Sequence, residues 1–469
     1  MSRFHVSPFF SAIFAVALTA GPTAAQDAQY WTNDYGNRAR LLGGAMVGSA
    51  SDLSAVYYNP GRLALLEQPE AFLSGFVFNY DHLGLDNSLI RGDGLTSSRF
   101  DAVAALIAGE LRLGFLGDSH LAYSFMNRHG FDIRLKEEVI YENPDDPDLP
   151  EVDLLAGNLG FETKLSEYWA GLTWAKQLGS GLGLGISAFV SVRNQRSRRN
   201  VDLQGLSNDG EATVVSSLRD YRYDSWRVLP KIGLSWEEEQ LSVGIAVTAP
   251  GLRLFGSGDE TVSDYVVSQA STPSGPVPPG LAVQYEEGIP AKFNSPWSVA
   301  GGASYGLSEA TRAHASIEWF DANRRTILEV DPFTPQTGGE PIDPSVYLEM
   351  KPVVNIALGA EHGFSENLTG YGSFRTDFSG AEKPIPSETT FAIWDLYHIG
   401  AGVQARVKRS DFTLGLVYSR GSATRESPLV DLGLDDGGGI LASETRYTFT
   451  RLTLLLGFQL AFAPDLRIG

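Results

Sequence analysis

Residues 183–192, GLGISAFVSV, decide the fold class because their side chains alternate between two faces. The apolar face consists of Leu184, Ile186, Ala188 and Val190. The opposite face begins with Gly183, Gly185 and Ser187. A repeat of two residues is the period of a β-strand. We therefore predict a strand whose apolar face meets lipid and whose small residues point inward.

The segment before it continues the same pattern. One face of that segment consists of Tyr168, Ala170, Leu172 and Trp174, and the turn 178–181, LGSG, joins the two strands. The same alternation predicts about fourteen strands along the chain. We place them near residues 71–82, 100–115, 120–138, 160–177, 182–196, 220–237, 241–255, 295–306, 312–329, 347–363, 368–379, 393–408, 412–423 and 445–462.

The connections between these strands alternate in length. Short connections include residues 117–119, 237–239, 307–309, 365–367 and 409–411. Long connections run near residues 139–159, 197–219, 256–294, 330–346, 380–392 and 424–444. Transmembrane barrels have tight periplasmic turns and long external loops. Because lipid cannot hydrogen-bond an open sheet edge, we predict an all-β fold, an antiparallel transmembrane β-barrel of about 14 strands.

Composition excludes several classes of protein. The 469 residues contain no cysteine, so disulfides, thiolate zinc sites and cysteine nucleophiles are absent. A formal net charge of −20 argues against nucleic-acid binding. Beyond the N-terminus no stretch approaches the ~20 apolar residues of a membrane-spanning helix. The 51 glycines and 11% aromatic residues are typical of a barrel with bends and aromatic interface belts.

The N-terminus has the order of a secretory signal peptide. Arg3 precedes an apolar run near residues 9–20, and the small residues Thr23, Ala24 and Ala25 follow. This order predicts cleavage after Ala25 and export from the cytoplasm. The predicted organisation is a signal peptide (1–25), an N-terminal hatch (26–68), a barrel (69–462) and a short tail (463–469).

A lumen enclosed by ~14 strands is wider than side chains alone fill, so it is either plugged or open. Residues 26–68 are rich in glycine and alanine, lack alternation, and are the predicted plug. They include Asp52 and the run SAVYYNP (54–60), which ends in Tyr58, Asn59 and Pro60 before Gly61. Asn-Pro-Gly alone is also compatible with a simple turn.

This run resembles the N-terminal hatch signature of the FadL/TodX family of outer-membrane long-chain fatty acid and hydrocarbon transport proteins. In that family the signature ends Asn-Pro-Ala, so Gly61 is a departure, and an acidic residue precedes it, as Asp52 does here. A second likeness is SPWSVAGGA (295–303) followed by ASIEW (315–319). The resemblance implies a hatch inside the barrel, with Asp52, Tyr58, Asn59, Pro60 and Gly61 as its motif.

The resemblance also implies an inward kink and lateral opening in the third strand. His129 and Gly130 lie there, and glycine permits such a bend. Gly130 is equally compatible with ordinary packing. The last predicted strand ends at Phe462, seven residues before the C-terminus, although the barrel assembly machinery usually reads a terminal aromatic residue.

Other motifs have weaker interpretations. GASYG (302–306) matches the serine-hydrolase pattern, but a turn and a strand follow it instead of a helix, so Ser304 is not expected to be catalytic. GLGISA (183–188) continues as strand and opens no helix, which excludes nucleotide binding. An acidic loop is compatible with calcium or lipopolysaccharide binding, but also with a solvated loop. Its residues are Asp145, Asp146, Asp148, Glu151 and Asp153.

The tryptophans are predicted to form interface belts, although a lumen position would let them stack on a ligand. They include Trp169, Trp174, Trp236, Trp297 and Trp319. None of the seven histidines has the spacing of a metal site.

The predicted function is uptake of hydrophobic molecules, such as long-chain fatty acids or aromatic hydrocarbons, through a monomeric channel of the bacterial outer membrane. No catalytic residue, metal or cofactor is expected. The expected partners are the hydrophobic ligand, outer-membrane lipid, lipopolysaccharide and the outer-membrane assembly machinery. The alternatives are a structural or adhesive barrel, a general porin, or a membrane lipase whose serine lies beside a histidine.

Overall fold

A computed structural model describes residues 28–66, 72–73, 76–87, 94–103, 106–111, 113–142, 152–207, 210–269, 271–272, 275–276, 279–382, 391–407, 410–425 and 444–460. Three short α-helices lie before the first strand: α1 (Asn37–Leu41), α2 (Ala55–Tyr58) and α3 (Pro60–Leu63). A 3-10 turn covers Gly114–Leu116. No described helix has the length and apolar character needed to cross a membrane. The predicted signal peptide lies outside the described residues.

Strands make up most of the rest. They are β1 (Phe72–Leu73), β2 (Phe76–Asp86), β3 (Gly94–Val103), β4 (Leu106–Glu110), β5 (Ser119–Glu142), β6 (Val152–Gly179), β7 (Leu182–Ser207), β8 (Ala212–Glu238), β9 (Leu241–Thr248), β10 (Leu252–Phe255), β11 (Ser257–Ser268), β12 (Ser271–Thr272), β13 (Gly275–Pro276), β14 (Gly280–Pro290), β15 (Ser298–Gly306), β16 (Thr311–Phe320), β17 (Asn323–Leu328), β18 (Val346–Met350), β19 (Val353–Ser365), β20 (Leu368–Asp377), β21 (Asp395–Val407), β22 (Ser410–Arg425) and β23 (Thr445–Leu460).

These strands pair in chain order, and every described pairing is antiparallel. β1 pairs with β4 and β2 with β3, in one continuous register. The order then runs β4–β5–β6–β7–β8–β9–β15–β16–β19–β20–β21–β22–β23. β23 pairs in turn with β2, from Phe76↔Leu456 to Asp86↔Arg446. The predicted all-β antiparallel fold is confirmed, and each predicted strand position overlaps a strand.

Several strands extend further than the sequence pattern indicates. β6 has 28 residues, β7 has 26 and β8 has 27. β6 begins within the predicted long loop at 139–159, and β7 and β8 extend into the predicted long loop at 197–219. Residues 256–294, also predicted as a loop, contain β11 and β14, and β11 pairs with both β8 and β14. In the β7 extension the alternation is reversed, because Val201 and Leu203 are buried on the inner face whereas Arg198 and Gln204 are exposed.

The two faces of the sheet differ as predicted. On β7, Ile186, Ala188 and Val190 are exposed, whereas Gly183, Gly185 and Ser187 are buried. The outward side chains of neighbouring strands are also exposed and apolar. They include Ile232, Ile245, Ile317, Ile356, Leu416 and Leu454. An apolar band of this kind is the surface that a transmembrane barrel presents to lipid.

Candidate functional site

Residues 28–66, here called the N-terminal segment, lie against the inner face of the sheet. Trp31 Nε1 donates to Glu318 on β16 at 2.6 Å. Arg38 donates to Glu361 on β19 at 2.8 Å, and Arg375 on β20 donates to Asp34 at 2.7 Å. Helix α3 packs against β6, β7, β8 and β9. The segment therefore contacts strands that lie far apart in the order of the sheet, from β6 to β20.

Asn59 has a specific structural role at the start of α3. Its Oδ1 accepts from Gly61 N at 3.0 Å, which caps the helix, while Pro60 occupies the first helical position. Its Nδ2 donates to Val47 O at 2.9 Å and to Leu234 O of β8 at 3.0 Å. One fully buried side chain thus fixes the helix, the preceding chain and the strand.

Glycines on the facing strands allow this close approach. A Cβ added at Gly233 would lie 2.1 Å from Asn59 Oδ1, and one at Gly185 would lie 2.2 Å from Pro60 O. Conversely, a Cβ at Gly61 would lie 2.7 Å from Gly233 O. Because these distances are shorter than any real Cβ contact, small residues are required on both surfaces. The inward-facing glycines predicted from alternation are the docking surface for the motif.

The other two predicted motif residues act within the segment. Asp52 Oδ1 accepts from Ser54 N at 2.8 Å, and burial raises the pKa of this carboxyl above its usual value. Tyr58 OH accepts from Tyr35 N at 3.1 Å and donates to Asp34 at 3.4 Å. Asp52 and Tyr58 thus stabilise the fold of the segment.

Replacing Asn59 with alanine is expected to loosen the N-terminal segment. The change removes the cap, worth about 1 kcal/mol, and leaves the Val47 and Leu234 carbonyls without their donor. Limited proteolysis of the folded protein should cleave the segment faster. Asn158→Ala is the matched control, because Asn158 is exposed. Equal cleavage of the two variants would contradict a docking role for Asn59.

A cavity of about 70 Å³ lies inside the sheet beside this segment. Part of its wall is apolar or aromatic: Tyr30, Tyr57, Trp169, Phe293, Phe320 and Met350. The polar part of its wall includes Arg128, Glu167, Arg193, Lys231 and Glu318. Burial raises the pKa of Tyr57 to about 12, so its phenol is neutral beside Lys231, whose ammonium lies 4.9 Å from the Tyr57 ring centre. The cavity thus combines an apolar wall with buried cationic and anionic side chains.

Glu167 is the centre of a buried ion network at this cavity. Its carboxylate accepts from Arg193 Nη1 at 3.0 Å and from Arg227 Nη2 at 2.8 Å. Trp169 Nε1 and Ser191 Oγ donate to the same group at 2.7 and 3.0 Å. This network was not predicted from the sequence. Its signal is charge on the inward face of three consecutive strands, Glu167 on β6, Arg193 on β7 and Arg227 on β8, which becomes visible once the register is known.

The predicted kink lies at a register shift between β5 and β6. Asn127 pairs with Tyr168 and His129 with Glu167, so Arg128 is the extra residue of a bulge next to His129 and Gly130. Arg128 points inward, donates to Tyr30 O at 2.6 Å, and lies 5.5 Å from the Trp169 ring centre. Its Nε and Nη1 are buried and have no hydrogen-bond partner among the described residues.

The β4–β5 ladder stops immediately before this bulge, at Leu106↔Met126. Within the described part of the chain, no ladder joins β3 to the continuation of β5. The N-terminal segment instead satisfies the carbonyls at the bulge, because Tyr35 OH donates to Asn127 O and Thr32 Oγ1 to Arg128 O, both at 2.9 Å. At the bulge, the hydrogen bonds described for these β5 carbonyls thus come from the N-terminal segment.

Trp169 does not lie in an interface belt, the position predicted for the tryptophans. It is 6% exposed and lines the cavity, because odd-numbered residues of this part of β6 face inward. Trp297 and Trp319, at 47% and 38% exposed, lie outside as predicted.

A membrane lipase would need a serine beside a histidine. The structure contains such a pair, but Ser304 is not part of it. Ser304 is buried and accepts from Arg312 at 3.2 Å. Ser49 Oγ lies 2.9 Å from His314 Nδ1, and His314 Nε2 lies 3.3 Å from Glu361. Arg38 already holds Glu361 through two hydrogen bonds, so this set ties the N-terminal segment to the sheet.

Some predicted features lie outside the described residues. These are Phe462, the C-terminal tail and the acidic loop, apart from Asp153 at the start of β6. In the part that is described, no cluster of three or more histidine, aspartate or glutamate residues is arranged to hold a metal.

Comparison with solved structures gives extensive similarity at low sequence identity. A FadL homologue from Pseudomonas aeruginosa is 11% identical, with 93% of this chain and 100% of that chain covered and a TM-score of 0.58. The toluene transporter TodX of P. putida is 14% identical (91% and 98% covered, TM-score 0.55). The toluene transporter TbuX of Ralstonia pickettii is 12% identical (91% and 98% covered, TM-score 0.51). No protein-family model and no curated protein matches the chain. The predicted resemblance to FadL and TodX is confirmed at the level of fold.

Proposed function

We propose that this chain is an outer-membrane channel for hydrophobic molecules, built as a closed barrel of 14 strands with the N-terminal segment as its hatch. The pairing order supports this count, with β1 and β2 forming one strand and β3 and β4 the next. The pairing of β23 with β2 supports closure. The solved structures that share the fold include two toluene transporters, which supports transport of apolar compounds.

The observation that carries the proposal is the apolar interior at the end of the sheet opposite the short turns. Inward side chains of β2, β3, β5, β6 and β7 form one buried cluster there. It includes Leu83, Leu95, Phe131, Ile133, Phe161 and Leu203. Phe391 stacks on Phe161 at 4.7 Å between ring centres and meets Tyr447 edge-on at 5.6 Å. A porin lumen is polar and water-filled, so this interior favours a route for apolar solutes over a general porin.

The ligand passes from this cluster to the cavity below it. About 70 Å³ is much smaller than the ~300–1,000 Å³ of ordinary ligand pockets, so the cavity holds a single ring or a short part of an acyl chain. A longer ligand requires the N-terminal segment to move, because Tyr30 and Tyr57 of that segment form part of the wall. Ligand binding and hatch movement are therefore coupled by shared residues.

We further propose that the ligand leaves sideways, between β3 and β5. The described residues form no ladder between these strands beside the Arg128 bulge, and Arg128 lines the cavity. An apolar solute gains free energy by entering lipid instead of a water-filled exit. His129 and Gly130 then flank the opening.

The test is uptake of labelled toluene and labelled oleate by cells that produce the intact chain, a version without residues 28–66, or neither, at matched surface levels. Uptake by the intact chain above the empty cells, altered by the deletion, supports a gated hydrophobic channel. Intact-chain uptake of both compounds equal to that of empty cells overturns the proposal.

Replacing Arg128 with methionine should separate anionic from neutral ligands. The unpartnered Nε and Nη1 are the donors available to a carboxylate, and a charge-assisted hydrogen bond contributes about 1.5–3 kcal/mol. We expect oleate to bind roughly 10–100-fold more weakly, with toluene uptake within about twofold of wild type. Arg134→Met, on the outer and exposed part of the same strand, is the control. Equal oleate affinity in the two variants would assign Arg128 to packing alone.

A further inference from the structure

A second cavity, of about 50 Å³, lies on the other side of the N-terminal segment, between that segment and strands β2, β20, β21, β22 and β23. Its polar lining includes Asp34, Arg40, Arg375, His398 and Arg451. Neither the ion network of Glu167 nor the proposed ligand route includes these residues.

Arg40 is a buried cation whose nearby carboxylate, Asp34, is already paired with Arg375. Arg40 is only 7% exposed, and its Nη1 has no hydrogen-bond partner among the described residues. No carboxylate of the described chain lies within ion-pair distance of it. Burial lowers the pKa of Arg40, but an arginine guanidinium stays protonated in proteins. A buried, uncompensated charge is strongly unfavourable, so a counter-ion at this position would be stabilising.

His398 supplies a second donor to the same space. It is 5% exposed, and its Nδ1 lies 2.6 Å from Ser419 Oγ. If the serine hydroxyl donates to Nδ1, the imidazole proton is on Nε2. That Nε2 is buried and has no partner among the described residues. Two unpartnered nitrogen atoms, Arg40 Nη1 of the N-terminal segment and His398 Nε2 of β21, therefore lie at one cavity.

Among the residues that line the cavity, three cations, Arg40, Arg375 and Arg451, accompany one carboxylate, Asp34. Arg375 pairs with Asp34 at 2.7 Å, and Arg451 makes two hydrogen bonds, of 2.6 and 3.0 Å, to Asp81. The nearby Asp377 accepts from Trp31 N at 3.1 Å and does not line the cavity. Arg40 is the cation that these pairs leave over.

From this geometry we infer that the cavity binds one small monovalent anion, such as chloride, between Arg40 and His398. Its volume exceeds the ~10–15 Å³ that one water needs but excludes a bulky anion. The bound anion bridges the N-terminal segment to β21 and stabilises the docked position of that segment. This inference is independent of the transported ligand.

The first test is a bromide soak of crystals of the full chain, with anomalous diffraction. A bromide peak between Arg40 Nη1 and His398 Nε2 is expected. Density for water only, with no anomalous peak, overturns the inference, and the wild-type protein alone decides it.

The second test compares urea unfolding midpoints in sodium chloride and in sodium gluconate at equal ionic strength. Wild type should unfold at higher urea in chloride, with a saturable dependence on chloride concentration. Arg40→Met should lose this dependence, whereas Arg134→Met, which removes an exposed cation, should keep it. Equal midpoints for wild type in the two salts, or equal chloride dependence in the two variants, overturns the inference.

Discussion

Replacing Glu167 with glutamine is expected to destabilise the protein by about 3–5 kcal/mol, because one buried carboxylate neutralises two buried guanidinium groups. Arg193 and Arg227 both donate to it, and the Arg227 residue is 0% exposed. Glutamine keeps the shape but not the charge. Both cations would then stay in a wall where no described carboxylate replaces Glu167.

The measurement is the urea unfolding midpoint of the protein folded in lipid vesicles. Glu162→Gln is the matched control on the same strand, because Glu162 pairs with Arg134 at 3.1 Å where both side chains are exposed, 46% and 65%. Exposed pairs contribute about 0–1 kcal/mol, so this variant should unfold close to wild type. Adding Arg227→Gln to Glu167→Gln should recover part of the loss. Similar midpoints for the two single variants would show that the Glu167 network is solvated.

The strands could be predicted from the sequence wherever the two faces of the wall meet different surroundings. β7 shows this: its alternation between Gly183 and Val190 gives the strand and its orientation. The same strand continues to Ser207, but there the apolar side chains Val201 and Leu203 lie on the inner face and polar ones such as Gln204 on the outer face. A period-two pattern therefore shows which residues share a face, whereas the surroundings of each face change along the strand.

The site could be predicted less completely. Asn59, Pro60 and Gly61 form a local motif that is recognisable in the sequence, and the segment that contains them lies against the inner face of the sheet. The Glu167 network depends on the register of three strands, which alternation alone does not give. Arg128 points inward only because the bulge adds one residue before His129. Such positions are set by pairing across the sheet.

Replacing Gly185 with valine is expected to displace the N-terminal segment and make the barrel leak ions. A Cβ at Gly185 would lie 2.2 Å from Pro60 O and 2.3 Å from Pro60 C, which are backbone atoms. β7 is paired on both sides, with β6 and β8, so the strand cannot retreat. The segment, held mainly by side chains, is the part that yields.

Overpacking of this kind destabilises the docked state by about 1–3 kcal/mol. The equilibrium between the docked and the displaced N-terminal segment then shifts roughly fivefold or more toward the displaced state. Single-channel recording in planar bilayers should therefore show open events at least about fivefold more often than in wild type. Gly205→Val is the control on the same strand, because a Cβ there meets no atom within 4 Å. If Gly185→Val folds and conducts no more than Gly205→Val, the segment does not seal the lumen. If only Gly185→Val opens, the contact between Pro60 and β7 is the seal, and the glycines of this wall serve to make that contact possible.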